Sequence, residues 1–309
     1  MKNKIVALGV YMLVFACFIA ARAHAKGAGT SSGLIVTEPV SAKAAGISEA
    51  GTALKGEVLS LHYNPAGLAA LVGQELSVMY QKTVSEDNFE SILYGKKFEF
   101  GAIAVSVVYF DTGEIEMYNT AGTKIEKVGQ RDMVASIGGG IDTPIANLAA
   151  GGSIKVISSE IFEEKATAVA VDLGAQYGAL IENLNLGLVV QNLGGELKYV
   201  DEGEPLPLTV RVGASYAYPV NDYRVIGYLD IPYLVEEEAT LGLFGVEGIY
   251  KELIALRVGY RMNFNDSDDL DENIDIGMGV VYGRYSVDYA VGLTDDLSNP
   301  HHVSMSIKF

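Results

Sequence analysis

The sequence predicts an all-β chain: an antiparallel transmembrane β-barrel of about fourteen strands, preceded by a small N-terminal segment folded inward as a hatch or plug. Three observations predict it. The composition is 49% hydrophobic and only 20% charged over 309 residues, with 35 glycines and no tryptophan. That is too apolar for a disordered chain, and too rich in glycine for a helical bundle, because each helix-interior glycine costs about 1 kcal/mol relative to alanine. From Gly73 onward apolar residues recur at every second position. The connections between the resulting strands alternate short and long. A net charge of −17 also argues against a nucleic-acid partner, which needs a basic face to displace counterions from phosphates.

The first 25 residues have the form of a secretory signal. Lys2 and Lys4 supply the basic start, an apolar run extends from Ile5 to Ala21, and Ala23-His24-Ala25 gives the small-x-small cleavage site. An uncleaved membrane anchor is the rival reading; the site directly behind the run favours cleavage. Cys17, the single cysteine, lies within the signal, and Phe15-Ala16 before it does not suit a lipoprotein site. The mature chain is then expected to have neither disulfides nor thiol chemistry. Cleavage removes three of the 22 basic residues and no acidic one, moving the net charge from −17 to −20. No other stretch reaches the roughly 18–20 apolar residues of a membrane helix. An exported chain of this kind is either soluble or crosses the outer membrane as a barrel.

Residues 26–72 do not alternate. Lys26 to Gly33 is a tail of small residues, Ser41 to Gly46 and Ile47 to Leu54 are rich in alanine and glycine, and Asn64-Pro65 opens a turn. Proline fixes its own φ and keeps the residue before it out of the helical region. A small, turn-rich segment ahead of a barrel is suited to folding into it.

Residues 73–309 form the expected barrel. Strands are expected at 74–82, 88–95, 98–110, 130–141, 149–158, 165–177, 184–192, 206–218, 223–231, 239–248, 252–263, 273–282, 285–293 and 300–309. The alternation is clearest where Ile254, Leu256, Val258, Tyr260 and Met262 oppose Ala255, Arg257, Gly259 and Arg261. Alternation alone fits a soluble sandwich as well. Here the polar rows are glycine, alanine and serine with single charges, which suits a crowded lumen. The apolar rows often end in tyrosine (Tyr80, Tyr109, Tyr177, Tyr218, Tyr260, Tyr282), a residue suited to a membrane interface.

Short turns around Gly95–Lys97, Pro219–Asp222, Ile249–Lys251 and Gly283–Arg284 alternate with longer polar loops at 111–129, 193–205, 232–238 and 263–272. Brief periplasmic turns and longer external loops are the habit of outer-membrane barrels, whereas a sandwich has no reason to sort its loops by parity. The last strand alternates Val303, Met305, Ile307 and Phe309 with His302, Ser304, Ser306 and Lys308, and Phe309 is the expected recognition signal for the barrel assembly machinery. An ordinary strand ending there would leave an open sheet edge.

Catalytic chemistry has little to stand on. His62 sits beside the Asn-Pro turn, and His301 with His302 would point to opposite faces of a strand, which does not suit shared metal ligation. No Ser-His-Asp arrangement is evident, and neither a cofactor nor enzymatic activity is expected. The acidic run Asp266 to Glu272 lacks the spacing of a calcium loop and is expected to be a solvated external loop, divalent bridging to lipid head groups being the lesser alternative. Arg211, Arg257 and Arg261 fall on the inward rows, with Asp172, Asp275 and Asp288 as available partners. A salt-bridge network holding the hatch is favoured over an arginine that receives a ligand carboxylate. Arg257→Ala is accordingly expected to weaken hatch retention before it changes any substrate preference.

The motifs Ser41–Gly46 and Tyr63-Asn64-Pro65-Ala66-Gly67-Leu68 resemble the N-terminal signature of the PorV/PorQ-type outer-membrane proteins, relatives of the FadL-like long-chain fatty-acid transporters. The likeness continues through the stretches 109–115, 172–177, 188–194, 204–208 and 256–261, and so covers nearly the whole mature chain. It implies a fourteen-stranded barrel whose lumen holds a hatch shaped by Asn64, Pro65, Ala66 and Gly67. It also implies one of two functions: a passive outer-membrane channel for hydrophobic small molecules, or a PorV-like structural component of type IX secretion that holds exported protein cargo. The expected partners are outer-membrane lipid, the assembly machinery, and either a hydrophobic ligand or secreted cargo. An enzyme resembling outer-membrane phospholipases lacks the residues to carry its reaction.

Overall fold

A computed structural model of the chain describes residues 31–82, 87–118, 122–179, 181–264, 273–293 and 299–309. The expected signal segment and the acidic run Asp266 to Glu272 lie outside the described residues. Among the described residues eighteen strands follow in order: β1 (Gln74–Lys82), β2 (Asn88–Phe98), β3 (Gly101–Asp111), β4 (Glu114–Tyr118), β5 (Lys124–Val128), β6 (Gln130–Asp142), β7 (Leu148–Ile161), β8 (Glu164–Gly178), β9 (Leu184–Gly194), β10 (Glu196–Lys198), β11 (Gly203–Pro205), β12 (Thr209–Val220), β13 (Tyr223–Leu234), β14 (Ala239–Tyr250), β15 (Ile254–Asn263), β16 (Asn273–Tyr282), β17 (Tyr285–Leu293) and β18 (His301–Lys308).

Fourteen of these close into a single barrel in the order β1-β18-β17-β16-β15-β14-β13-β12-β9-β8-β7-β6-β3-β2, and neighbours run antiparallel. Closure occurs where the two chain ends of the sheet meet. Glu75 lies opposite Lys308 and Leu76 opposite Ile307, and Phe309 N donates to Gln74 O at 2.8 Å. The sheet therefore has no free edge. One ladder, between β13 and β14, skips Ile231 and Pro232; proline has no N–H to contribute there.

The outer face is apolar and the inner face small and polar. On β15, Ile254, Leu256 and Val258 are 47%, 63% and 55% exposed, whereas Ala255 and Arg257 between them are buried at 5% each. A strand in a soluble sandwich would reverse this. Tyr80, Tyr218, Tyr260 and Tyr282 are exposed on that outer face. Tyr177 is buried instead, because Leu148 and Leu186 flank it on the neighbouring strands. Tyr109 is half-buried and donates to Asp111 Oδ2 at 2.9 Å.

Three expectations need correction. The loops at 111–129 and 193–205 are not plain: each carries a two-stranded hairpin, β4 with β5 and β10 with β11. The turn expected at Gly95–Lys97 belongs to β2, which pairs on to Phe98 opposite Gly101 before the chain reverses at 99–100. The long-loop end also holds one brief reversal, 162–163 between β7 and β8, where Phe162 takes a positive φ of 56°.

Residues 31–72 occupy the lumen. They start at the long-loop end, where Ser32 N donates to Pro205 O at 2.9 Å beside a 3-10 turn, Leu34–Thr37. They descend through α1 (Ala42–Ala45), α2 (Ser60–Tyr63) and a second 3-10 turn, Pro65–Ala70, to the short-turn end. There Lys97 N donates to Gly73 O at 2.8 Å, and β1 begins. Short caps hold these turns: Ser41 Oγ accepts from Ala44 N at 3.1 Å at the start of α1. The apolar core lies between this segment and the wall, with Val40, Ile47, Leu61, Tyr63 and Leu68 packed among Leu93, Val108, Val134 and Ile157.

Candidate functional site

The Asn64-Pro65-Ala66-Gly67 stretch docks onto the inner faces of β6, β7 and β8. Proline opens the turn at a position whose N–H needs no partner. Asn64, wholly buried, accepts from Ala66 N at 3.2 Å through Oδ1. Its Nδ2 donates to Thr52 O at 2.9 Å within the segment and to Ala175 O at 3.2 Å on the wall. One amide side chain thus ties the turn to itself, to the rest of the segment and to the barrel. The wall approaches so closely that a side chain is excluded: a Cβ on Gly174 would fall on Asn64 Oδ1, and one on Gly151 would overlap Pro65 C and Ala66 N. The inward glycine rows therefore serve to receive the segment.

The inward charges are divided between wall and segment. Arg211 donates through Nη2 to Glu49 O at 2.6 Å and to Asp230 Oδ2 at 3.0 Å, and Asp230 Oδ2 also accepts from Thr52 N at 2.8 Å and Thr52 Oγ1 at 2.6 Å. Arg261 Nη2 reaches Glu49 Oε1 at 2.6 Å. Arg257 stays within the wall, donating to Glu247 Oε1 at 2.8 Å and Asp288 Oδ1 at 2.7 Å. Of the three aspartates named from the sequence, only Asp288 meets an arginine. Asp172 is instead paired with Lys155 Nζ at 2.9 Å, since Lys155 and Ser153 lie on the adjoining strand β7 while the arginines lie further round the barrel. Asp275 accepts from Ser48 Oγ of the segment.

This geometry refines the expectation for Arg257→Ala. Removing it strands two buried carboxylates on the wall beneath α1, at a cost of about 3–5 kcal/mol, and leaves every direct contact between segment and cavity in place. Limited proteolysis within residues 31–72 should increase while the order of preference among ligands stays the same. Loss of ligand uptake with the segment still protease-resistant would contradict this.

Between segment and wall, at the long-loop end, lies a cavity of about 420 Å³. Leu34, Val36, Pro39, Leu234, Leu241 and Leu243 form its apolar lining; Glu38, Glu49, Glu237, Asp275, Arg211 and Arg261 are its charged groups. Burial pushes the Glu38 carboxyl up to about 7, with Glu49 adding to the rise and Arg261 opposing it. Burial likewise raises Glu49, against the pull of Arg261 and Arg211. Burial holds His62, another lining residue, well below the ordinary histidine range, and Lys155 and Arg211 act in the same direction. For a carboxyl whose folded value exceeds its ordinary 4.5, ionisation opposes the folded arrangement. Its contribution is full below pH 4.5 and is lost as pH rises through about 7. Hydrogen exchange of residues 31–49, corrected for its intrinsic pH dependence, should therefore be slower at pH 5 than at pH 8, and Glu38→Gln should reduce the difference. An equal difference in the variant would contradict the assignment to Glu38.

His302, on β18, is buried and lines the same cavity, whereas His301 is exposed and bonded to Tyr289 Oη at 2.6 Å. Phe309 lies at the opposite, short-turn end, exposed, with the Arg284 guanidinium 5.7 Å from its ring centre.

No protein-family model matches the chain, and no curated protein does. The fold does have solved counterparts. The toluene transporter TodX of Pseudomonas putida superposes with a TM-score of 0.64 at 14% identity, covering 88% of this chain and 98% of its own. A FadL homologue of Pseudomonas aeruginosa gives 0.58 at 9% identity, over 87% and 98%. The outer membrane protein Omp33 of Acinetobacter baumannii gives 0.50 at 9% identity, over 77% and 98%. At these identities the likeness is one of architecture: a closed antiparallel barrel of the outer-membrane kind.

Sequence reasoning missed Glu49, Asp230, Glu247 and Lys155. The last three were within reach of it: Lys155 alternates with the outward Ile154 and Val156, Asp230 with Leu229, and Glu247 with Val246, which puts each charge on an inward row. Glu49 carried no such signal, because the segment has no period from which to read its facing.

Proposed function

We propose that this chain is an outer-membrane channel that admits small, largely hydrophobic molecules from the long-loop side into its lumen. The observation that carries the reading is the 420 Å³ cavity lodged between the lumen segment and the wall of a barrel whose outer face is apolar. A cavity of this size suits a small organic molecule rather than protein cargo. The short turns gather at one end, as periplasmic turns do in outer-membrane barrels, and this supports reading that end as periplasmic and the cavity as facing the exterior. Export through residues 1–25 and membrane insertion through Phe309 belong to the same proposal. The likeness to a toluene transporter and a FadL homologue is consistent with it. The alternative, a component of type IX secretion, draws no support from these likenesses.

Produced in the outer membrane of a Gram-negative host, the chain should raise the uptake rate of a labelled six-carbon alcohol severalfold over a vector control. Leu243→Trp, which fills the cavity from its apolar side, should lower that rate while the barrel still assembles. Uptake indistinguishable from the control would overturn the proposal.

A further inference from the structure

We infer that the cavity selects molecules carrying a cationic hydrogen-bond donor, such as an alkylammonium, over neutral or anionic molecules of the same length. The inference rests on the proposed function and names the ligand class of that same cavity.

Charge is the first observation. Arg261 is committed to Glu49, and Arg211 to Asp230 and the Glu49 backbone. Glu38, Glu237 and Asp275 remain, and among the described residues none of these three has a basic side chain within ion-pair distance. The cavity is thus acidic beyond its own counter-charges.

The second observation concerns hydrogen bonding. Three buried acceptor oxygens on residues lining this cavity have no hydrogen-bond partner, Gln81 Oε1, Glu237 Oε2 and Asn273 Oδ1, and His302 Nδ1, which accepts when the proton sits on Nε2, is also without one. Gln81 and Glu237 are each 8% exposed and His302 3%. Glu237 has already accepted one bond through Oε1, from Ser31 Oγ, so its free oxygen is held in place. A buried acceptor without a donor is destabilising, and these atoms sit on residues that line one cavity, where a ligand's N–H or O–H groups would meet them. An ammonium offers three donors and the missing positive charge together. The apolar lining by Leu241 and Leu243 accommodates a hydrocarbon body beside that head.

The arginines supply the competing reading. Nε of both Arg211 and Arg261 is also without a partner, and a ligand carboxylate could address them. Its charge would then face Glu38, Glu49, Glu237 and Asp275 at close quarters, where low local polarity magnifies repulsion. Glu237 and Asp275, with no basic side chain in ion-pair distance among the described residues, set against two arginines that are already paired, favour the cation.

The test uses the full chain in phosphatidylcholine nanodiscs at pH 7.5, titrated calorimetrically with hexylammonium, hexanol and hexanoate against empty nanodiscs. Hexylammonium should bind at least tenfold more tightly than hexanoate. The double substitution Glu237→Gln with Asp275→Asn should weaken hexylammonium about tenfold and leave hexanol within twofold. Hexanoate binding as tightly as the amine, or an amine affinity untouched by the double substitution, overturns the cation selectivity while leaving the cavity a binding site. If the double variant fails to fold, the comparison of amine with carboxylate in the unaltered chain still decides the matter. Silence from all three probes overturns the proposed channel reading and the inference with it.

Discussion

Gly151→Leu should drive the Asn64–Ala70 turn out of the lumen. A Cβ at Gly151 would overlap main-chain atoms of Pro65 and Ala66, not the tip of a flexible side chain, so no rotamer change relieves it. Overpacking a well-filled interior costs about 1–3 kcal/mol where side chains can shift; a backbone collision inside a closed barrel should exceed that. The wall itself loses nothing, since Gly151 pairs with Gly140 and Gly174 through its main chain. Single barrels in a planar bilayer should therefore pass from low to high ion conductance, and residues 31–72 should become open to protease. Gly248→Leu is the control, because open space surrounds that position. Equal conductance for Gly151→Leu and the unaltered chain would show that the segment is not what closes the lumen.

Asp230→Ala should have the second-largest effect. Asp230 is wholly buried, and its Oδ2 is the acceptor for Thr52 N, Thr52 Oγ1 and Arg211 Nη2 together. Removing one member of a buried pair and leaving the other charged costs about 3–5 kcal/mol. Here the loss falls on the contact between wall and segment, so exchange of the Thr52 amide should accelerate by orders of magnitude while the barrel ladders stay protected. Asp230→Asn keeps an acceptor for Thr52 and should recover part of the protection. A Thr52 amide unaffected by either substitution would contradict the role given to Asp230.

The barrel was legible because each wall residue reports its facing through a period of two. Ile254, Leu256 and Val258 are outward and Ala255, Arg257 and Gly259 inward in sequence and structure alike. The hairpins β4–β5 and β10–β11 were not legible, being too short for a period to establish itself. The glycine rows could be read as room inside a lumen, but not as the mould of a particular turn. That Gly174 answers Asn64 and Gly151 answers Pro65 depends on contacts across more than eighty positions of chain. For the same reason Arg257 could be assigned to the lumen while its partner Glu247 could not be chosen over Asp172. Alternation gives a side, and the height and angle around the barrel come only from closure. The cavity is a product of that closure: Gln81, Glu237, Asn273 and His302 come from four separate parts of the chain.

Nitroxide labels placed in turn at Leu256, Arg257 and Val258 of the barrel in liposomes test the account most directly, through their collision rates with oxygen and with a water-soluble nickel chelate. Labels at 256 and 258 should meet oxygen and exclude nickel, as sites bathed in hydrocarbon do, while the label at 257 should be shielded from both. Ready access of nickel to 256 and 258 would place the leucine and valine rows in water and remove the basis of the membrane assignment.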